Sequence, residues 1–173
     1  LLLYCAASLH ARHKGMELLL DSLELLDRQT AKNCCLVVVG GEAGVNTVGG
    51  MKCYSLGSIS DELQMAKVYQ TCDVFLCPSR EDNFPNTVAE ASSCGLPVVA
   101  FNTGGLPDMI DHGQTGYLAK PFSVGDFAKG VKLTIENRGE WAPAVVEKAR
   151  HLYAPKRHVR SLLDIYQKVI KCC

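Results

Sequence analysis

The sequence predicts an α/β protein built on a Rossmann-like, doubly wound parallel sheet with helices on both faces. Short apolar runs alternate along the chain with longer stretches of helical hydrophobic spacing. The apolar runs are continuous, which is typical of strands buried on both faces of a parallel sheet. The length of 173 residues fits one domain. Such sheets bind ligands beyond the carboxyl ends of their strands, so we expect the site in the loops that follow the strands.

The first half of the chain is predicted to form three strands and two helices. The strands are residues 1–6, 34–39 and 51–56; the second ends at Gly40-Gly41 and the third at Gly57. Residues 15–28 carry leucines at helical spacing, which indicates an amphipathic helix. A second helix is predicted over 61–72, with Ser60 as its N-cap.

The second half continues the alternation and ends in helices. Strands are predicted at residues 73–77, 97–101 and 116–119, and helices at 86–94 and 107–112. Gly95 follows the first of these helices as a C-terminal signal. Three helical patterns follow near 123–137, 140–153 and 155–171. Pro143 falls in the first turn of the second pattern and Pro155 opens the third, where proline is tolerated.

The charge balance argues against a nucleic-acid partner. Lysine and arginine together number 18, as do aspartate and glutamate. The end of the chain is different, because from Lys148 onward seven basic residues are accompanied by one acidic residue, Asp164. This segment is either the solvated face of a helix or a surface attracted to an anionic membrane or a partner domain.

The nine cysteines predict free thiols rather than disulfides or a metal site. Five of them lie in apolar runs, where a thiol acts as a small hydrophobic group, and no Cys-x-x-Cys pair occurs. This pattern indicates a reduced, cytoplasmic protein. The apolar opening LLLYCAAS is too short to span a bilayer. It begins as a strand without Met, so we expect a piece cut at a domain boundary.

Residues 78–108 carry the densest functional signal, in the string PSREDNFPNTVAEASSCGLPVVAFNTGGLPD. Asp82 lies in the loop after a strand, and Glu90 lies in the early turns of the helix that follows. The start of a helix favours anions through its free N–H groups and its dipole. Carboxylates accept hydrogen bonds from hydroxyl groups. A phosphate-binding helix start beside such carboxylates suits a nucleotide-sugar.

This string resembles the donor-binding half of the family-four (group 1) retaining glycosyltransferases, which have the GT-B fold. That family carries Pro-Ser, an acidic residue, Phe-Pro, Glu-Ala, Gly-x-Pro-Val-Val-Ala and Gly-Gly in this order. Its two acids are separated by seven residues and are usually both Glu; Asp82 and Glu90 have this spacing. The form Ser-Arg-Glu-Asp-Asn-x-Pro-Asn resembles a subgroup of polysaccharide-building transferases. The resemblance runs from His13-Lys14-Gly15 to Gly116-Tyr117-Leu118.

The resemblance implies a role for three catalytic candidates. Lys14 would bind the donor diphosphate, Asp82 the hydroxyl groups of the donor sugar, and Glu90 those of the ribose. The family's arginine, six residues before the lysine, corresponds to Ser8. Three further candidates could replace missing interactions: Arg12 or Arg80 for that arginine, and Glu81 for Asp82 if the loop bulges.

Further donor-binding candidates surround these three. By the resemblance, the segment at Ser58 meets the nucleobase, and the N–H groups near Asn86, Thr87 and Val88 face the sugar and diphosphate. Glycines at strand ends allow close approach of the ligand to the backbone. The donor-binding candidates are Gly40, Ser58, Asn83, Phe84, Pro85, Asn86, Thr87, Gly104 and Gly105.

Each candidate also has a structural interpretation. Thr87-x-x-Glu90 fits a capping box, in which Glu90 would satisfy backbone N–H groups at a helix start. Asp82 is a common residue type in turns. Phe84 could pack inward, and the glycines could serve only as tight turns.

The resemblance implies a transferase that takes its sugar from a UDP- or GDP-sugar and needs no metal or other cofactor. A glycan or a lipid-linked molecule would be the acceptor. An N-terminal acceptor domain would lie upstream, and the last helix, about 155–171, would dock on it. The chain alone would bind the donor and hardly turn it over. Alternatives are a nucleotide-sugar epimerase of similar fold and a non-catalytic nucleotide-binding module.

Overall fold

The computed structural model describes residues 1–6 and 11–171, without the side chains of residues 155, 157, 158, 161 and 171. The strands are β1 (Leu2–Cys5), β2 (Cys35–Val48), β3 (Met51–Gly57), β4 (Val74–Cys77), β5 (Val98–Phe101) and β6 (Gly116–Ala119). The α-helices are α1 (Met16–Glu24), α2 (Arg28–Asn33), α3 (Glu62–Thr71), α4 (Asn86–Ser93), α5 (Leu106–Met109), α6 (Val124–Leu152) and α7 (Pro155–Lys171). A short 3-10 helix, Arg12–Lys14, precedes α1.

The strands form one six-stranded sheet in the order β3-β2-β1-β4-β5-β6. The pairs β1–β2, β1–β4, β4–β5 and β5–β6 are all parallel. This is the strand order of a doubly wound Rossmann sheet, whose direction of winding reverses between the first and fourth strands. The predicted fold class is therefore confirmed.

A hydrophobic layer covers each face of the sheet. Leu2 and Tyr4 belong to the layer that also holds Phe127 of α6. Leu3, between them, belongs to the opposite layer, together with Tyr69 of α3. Neighbouring residues of a strand point to opposite faces, so burial on both faces requires an uninterrupted apolar run.

The edge of the sheet at β3 departs from the parallel arrangement. Within β2, residues 36–38 pair with 53–55 in the same direction, whereas 44–48 pair with 51–55 in the opposite direction. The backbone reverses at Gly40 and Gly41, both of which have positive φ. β3 thus has the first part of β2 on one side and an antiparallel hairpin partner on the other. The predicted strand 34–39 is the first part of a longer strand.

Two helix predictions differ from the structure. The helix predicted over 15–28 ends at Glu24, and α2 begins after Asp27, whose carboxylate accepts a hydrogen bond from the Thr30 N–H. The patterns at 123–137 and 140–153 form the single helix α6. Pro143 lies within α6 on an exposed position. A carbonyl group deprived of its N–H partner by proline can be hydrated there, so the helix continues.

The N-cap of α3 differs from the prediction, whereas the bounds of α7 agree with it. The N-cap of α3 is Asp61, whose carboxylate accepts a hydrogen bond from the Gln64 N–H, rather than the predicted Ser60. The bounds of α7 agree with the predicted last helix. Its described apolar side chains are exposed, namely Val159, Leu162, Leu163, Ile165, Tyr166, Val169 and Ile170. Within the described residues, the helices are too short or too polar to cross a membrane.

Candidate functional site

A cavity of about 330 Å³ opens at the carboxyl edge of the sheet. It is lined by the end of β1, by Val39 and Gly40 where the first part of β2 ends, by the segment that follows β3, and by α3 and α4. The lining residues are Cys5, Ala6, Val39, Gly40, Ser58, Ile59, Met65, Tyr69, Thr87 and Glu90. Four predicted site residues, Gly40, Ser58, Thr87 and Glu90, are therefore brought together. They come from three separate segments of the sequence, because Thr87 and Glu90 both belong to α4.

Glu90 is hydrogen-bonded to a tyrosine of α3. The Tyr69 hydroxyl donates a hydrogen bond to Glu90 Oε2 at 2.8 Å. The capping-box interpretation of Glu90 is wrong, because α4 begins at Asn86 with Pro85 as N-cap and no side-chain capping bond. The Glu90 carboxylate therefore does not cap the helix, and it borders the cavity.

The start of α4 offers unused backbone donors. Among the described residues, the N–H groups of Asn86 and Thr87 have no hydrogen-bond partner. The Val88 N–H, by contrast, donates to the Pro85 carbonyl at 3.0 Å. Of the three N–H groups expected to face a diphosphate, the first two remain available for an anion.

Lys14 and Asp82 form an ion pair, with Lys14 Nζ 2.8 Å from Asp82 Oδ2. The two residues lie 68 positions apart in the sequence, in the loops that follow β1 and β4. Both side chains are partly buried, with exposures of 30% and 15%. The predicted phosphate ligand and the predicted sugar ligand are therefore in direct contact.

The further candidates near this pair have other surroundings. Arg80 donates two hydrogen bonds to Glu17 Oε1, at 3.0 and 2.9 Å, and stacks over the Phe122 ring at 5.5 Å. Its guanidinium group thus contacts α1 and the loop before α6. Arg12 and Glu81 are exposed. Ser8 lies outside the described residues.

Gly104 and Gly105 pack against the backbone of the loop that contains Asp82 and Asn83. The Gly105 N–H donates to the Asp82 carbonyl at 3.0 Å. A Cβ atom at Gly104 would lie 2.2 Å from that same oxygen, and one at Gly105 would lie 1.8 Å from the Asn83 carbonyl oxygen. Larger residues would displace the loop, so both glycines act on it through close backbone packing.

Phe84 does not pack inward. Its ring is 53% exposed and meets Tyr153 edge to face, with ring centroids 5.7 Å apart. Pro85, beside it, is buried at the start of α4. The loop is therefore anchored to the carboxyl end of α6 by Phe84 and to α4 by Pro85.

A larger cavity, of about 480 Å³, lies away from these motifs. Leu1, Asp27, Asp73 and Lys132 are among its lining residues, and it contains none of the predicted site residues. Its walls include the first residues of the sheet, whereas Rossmann-like domains bind at the opposite, carboxyl edge. We therefore place the functional site in the smaller cavity.

Six residues that line the cavity are not among the predicted site residues: Cys5, Ala6, Val39, Ile59, Met65 and Tyr69. Met65 and Tyr69 belong to the helical hydrophobic pattern of α3, which is typical of core residues. Tyr69 is indeed buried, and only its hydroxyl reaches the site. Burial raises the pKa of Cys5 to about 12, which keeps it a neutral thiol.

This architecture matches a known fold. A six-stranded, mostly parallel sheet, with an acidic loop and a helix start at its carboxyl edge, is that of a GT-B glycosyltransferase domain. The family pattern of the Glycosyl transferases group 1 matches residues 1–137, and the chain belongs to this family.

Relatives with known names support this assignment. The chain is 32% identical over 155 residues to a D-inositol 3-phosphate glycosyltransferase of Corynebacterium jeikeium, covering 77% of this chain and 36% of the relative. It is 27% identical over 168 residues to an N,N'-diacetylbacillosaminyl-diphospho-undecaprenol alpha-1,3-N-acetylgalactosaminyltransferase of Campylobacter jejuni, covering 92% and 43%. The chain thus spans less than half the length of these relatives.

Solved structures agree on the fold. Sucrose-phosphate synthase from Thermosynechococcus elongatus superposes with a TM-score of 0.78 at 19% identity, over 99% of this chain and 46% of that chain. The pneumococcal O-GlcNAc transferase in complex with UDP and GlcNAc gives 0.74 at 20% identity, over 98% and 36%. Anabaena HepE in complex with UDP gives 0.70 at 20% identity, over 99% and 49%.

Proposed function

We propose that this chain is the donor-binding domain of a retaining glycosyltransferase. The enzyme transfers a sugar from a UDP- or GDP-sugar to a glycan or lipid-linked acceptor, in polysaccharide or glycoconjugate biosynthesis. The observation that carries the proposal is the convergence at the carboxyl edge of the sheet. A cavity bordered by Glu90 lies there together with free N–H groups of α4 and the Lys14–Asp82 pair.

The donor would bind across these groups in a fixed order. Glu90 accepts hydrogen bonds from the ribose hydroxyls inside the cavity. The diphosphate lies against the N–H groups of Asn86 and Thr87 and near Lys14. Asp82 accepts hydrogen bonds from hydroxyl groups of the donor sugar, and Gly104 and Gly105 keep its loop in place.

Catalysis requires stabilisation of the departing diphosphate. Its negative charge grows as the bond to the sugar breaks, and Lys14 and the amides at the start of α4 face that charge. Asp82 restrains the Lys14 ammonium group in the cleft, so little reorganisation is needed. These groups supply the positive potential without a divalent metal ion, and we propose a metal-independent reaction.

The relatives guide the choice of ligands. The HepE and O-GlcNAc transferase structures both contain UDP, which makes UDP the first nucleotide to test. The Campylobacter relative is named for a diphospho-undecaprenol acceptor. A lipid-linked acceptor fits a cytoplasmic enzyme that works at the inner surface of a membrane.

The acceptor would bind to a second domain that faces this edge of the sheet. Transfer takes place between the two domains, so the 173-residue chain alone would bind the donor and hardly turn it over. The exposed apolar stripe of α7 would dock on the second domain. The basic residues of the same segment would favour that docking or a contact with anionic lipid.

Isothermal titration calorimetry of the chain with UDP, GDP and uridine, each with Mg²⁺ and again in EDTA, tests the proposal. We expect one of the diphosphates to bind, and UDP to bind more tightly than uridine. Lys14→Ala should remove most of that difference, whereas the control Lys32→Ala, an exposed lysine of α2, should not. Binding that requires a divalent metal, or no binding of either diphosphate, would contradict the proposal.

A further inference from the structure

Tyr69 lies beneath Glu90 as a buried residue with one polar atom in the site. Its residue surface is 2% exposed, and its ring meets Phe75 edge to face at 6.1 Å. Its hydroxyl donates to Glu90 Oε2 at 2.8 Å. Glu90 itself is exposed on α4. A rigid donor on one helix therefore holds a carboxylate on another.

The protonation state of Tyr69 fixes the direction of this hydrogen bond. Burial, and then the neighbouring Cys5 and Glu90, raise the pKa of Tyr69 far above its ordinary value. The phenol keeps its proton at any physiological pH and can only donate toward a carboxylate. Glu90 Oε2 is thus occupied on the side of α3, and Oε1 is left to accept from a ligand.

We propose that Tyr69 is a positioning residue for the ribose of the donor, which acts by fixing the carboxylate of Glu90 in its binding orientation. This inference rests on the proposed function. A glutamate on an exposed helix position has several rotamers, and ordering it on ligand binding costs conformational entropy. The hydrogen bond from the Tyr69 hydroxyl fixes one rotamer of Glu90 before the ligand binds.

The geometry of the two cavities supports this role. Tyr69 and Glu90 line the 330 Å³ cavity and also a second hollow, of about 570 Å³, that continues between α3 and α4. The carboxylate stands where the two spaces meet and could swing into either. The hydrogen bond from Tyr69 restricts this movement, because α3 and α4 each belong to the packed body of the domain.

The test uses Tyr69→Phe in the full-length protein and compares UDP with 2',3'-dideoxy-UDP, and GDP with its dideoxy analogue. The substitution keeps the ring in the core and removes the hydroxyl. We expect UDP or GDP to bind about 3- to 10-fold more weakly, as for the loss of one hydrogen bond. Binding of the dideoxy analogue should stay unchanged, because it lacks the hydroxyls that Glu90 accepts from.

A matched control is available on the other face of the sheet. The Tyr117 hydroxyl donates to Asp126 Oδ1 at 3.0 Å, outside the cavity. Tyr117→Phe removes a tyrosine–carboxylate bond of the same kind and should leave nucleotide binding unchanged. In a Glu90→Ala background, which removes the acceptor of the Tyr69 hydrogen bond, Tyr69→Phe should have little further effect on UDP binding, because its effect passes through the side chain of Glu90.

The outcomes separate the inference from the proposed function. If the wild-type protein distinguishes UDP from its dideoxy analogue and Tyr69→Phe changes neither affinity, the inference alone is wrong. Equal weakening of both ligands would show a general structural effect and would also overturn it. A wild-type protein that binds neither nucleotide, or does not distinguish the analogues, overturns the proposed function and the inference together.

Discussion

At the scale of single residues, the Lys14–Asp82 pair couples two proposed ligands of the donor. Lys14 Nζ lies 2.8 Å from Asp82 Oδ2 in a partly buried position. A carboxylate beside the ammonium group reduces the net positive charge offered to a diphosphate, but it also fixes where that charge lies. Substitution of Asp82 therefore affects both the sugar contact and the orientation of Lys14.

Asp82→Ala should lower kcat/KM of the full-length enzyme, whereas Glu81→Ala should be nearly silent. Asp82 is partly buried against Lys14, while Glu81 is exposed. The comparison of kcat/KM reports the loss of transition-state stabilisation for each acid. Steady-state kinetics with the nucleotide-sugar that binds would measure it.

The two variants control for each other, since both remove an acid from the same loop. Equal losses would mean that both acids face the sugar. A loss confined to Glu81→Ala would show that the motif is aligned one residue out of register.

Glu90→Gln should weaken nucleotide binding without a comparable loss of stability. The amide keeps the shape of the side chain and removes the charge that strengthens hydrogen bonds to hydroxyls, so affinity should fall roughly tenfold. The structure leaves Glu90 without a capping role, so the melting temperature should change little. Calorimetry and thermal unfolding measure the two effects, and unchanged affinity with a large fall in melting temperature would contradict the assignment.

Asp82 and Glu90 were proposed from the sequence because their spacing is part of a recognisable string. Tyr69 was missed because a tyrosine on the apolar side of α3 fits a core position equally well. Arg80 was also proposed as a phosphate ligand, although Glu17, 63 positions away, holds its side chain. Contacts of this kind depend on how separate segments pack, which spacing along the chain does not encode.

At the scale of elements, the clearest difference lies in β2. The apolar run ends at Gly40-Gly41, which predicts a strand that stops there. The chain instead turns and pairs with β3 as a hairpin closed by Gly49 and Gly50, both of positive φ. A Gly-Gly pair between two extended runs is a hairpin signal that the sequence does contain.

The start of α6 provides a pH-dependent prediction. Asp126 accepts hydrogen bonds from the Lys120 N–H at 2.8 Å and the Tyr117 hydroxyl at 3.0 Å, and so joins α6 to the end of β6. The Lys120 N–H first, and then the Tyr117 hydroxyl, hold the pKa of Asp126 below its ordinary value. A lowered folded-state pKa gives stability that is present above the unfolded pKa of about 3.9 and is lost as the pH falls through the folded value.

Asp126→Asn should therefore lower the melting temperature at pH 7, and the difference from wild type should shrink in acid as Asp126 takes up its proton. Thermal unfolding between pH 7 and pH 3 measures this. Asp21→Asn, at an exposed acid of α1, is the control for general charge effects. A difference that stays constant over the whole pH range would show that the substitution acts through packing.

At the scale of the whole molecule, the fold followed from the sequence because burial on both faces of a sheet leaves continuous apolar runs. The strand order reverses its winding between β1 and β4. The loops after these two strands hold Lys14 and Asp82, so the candidate site lies where doubly wound sheets bind their ligands. Topology thus explains why residues 68 positions apart meet.

Removal of α7 should leave this domain folded. The described apolar side chains of α7 are exposed, so they contribute little to the core. A chain that ends at Ala154 should keep its affinity for the nucleotide, and its melting temperature should shift by about 2 °C or less. A large fall would show that α7 packs on the domain in solution.

The same stripe should make the 173-residue chain self-associate. An exposed apolar face of this length is typical of a surface that is covered by a partner. Sedimentation velocity at increasing concentration should show association of the 173-residue chain and a monomer for the shortened one. The pair of substitutions Leu163→Glu and Ile170→Glu should abolish association without shortening the chain, whereas Gln167→Glu, outside the apolar stripe, should leave it intact. If the 173-residue chain stays monomeric at all concentrations, the stripe is too weak to act as a docking surface, and the proposed contact of α7 with a second domain loses its main support.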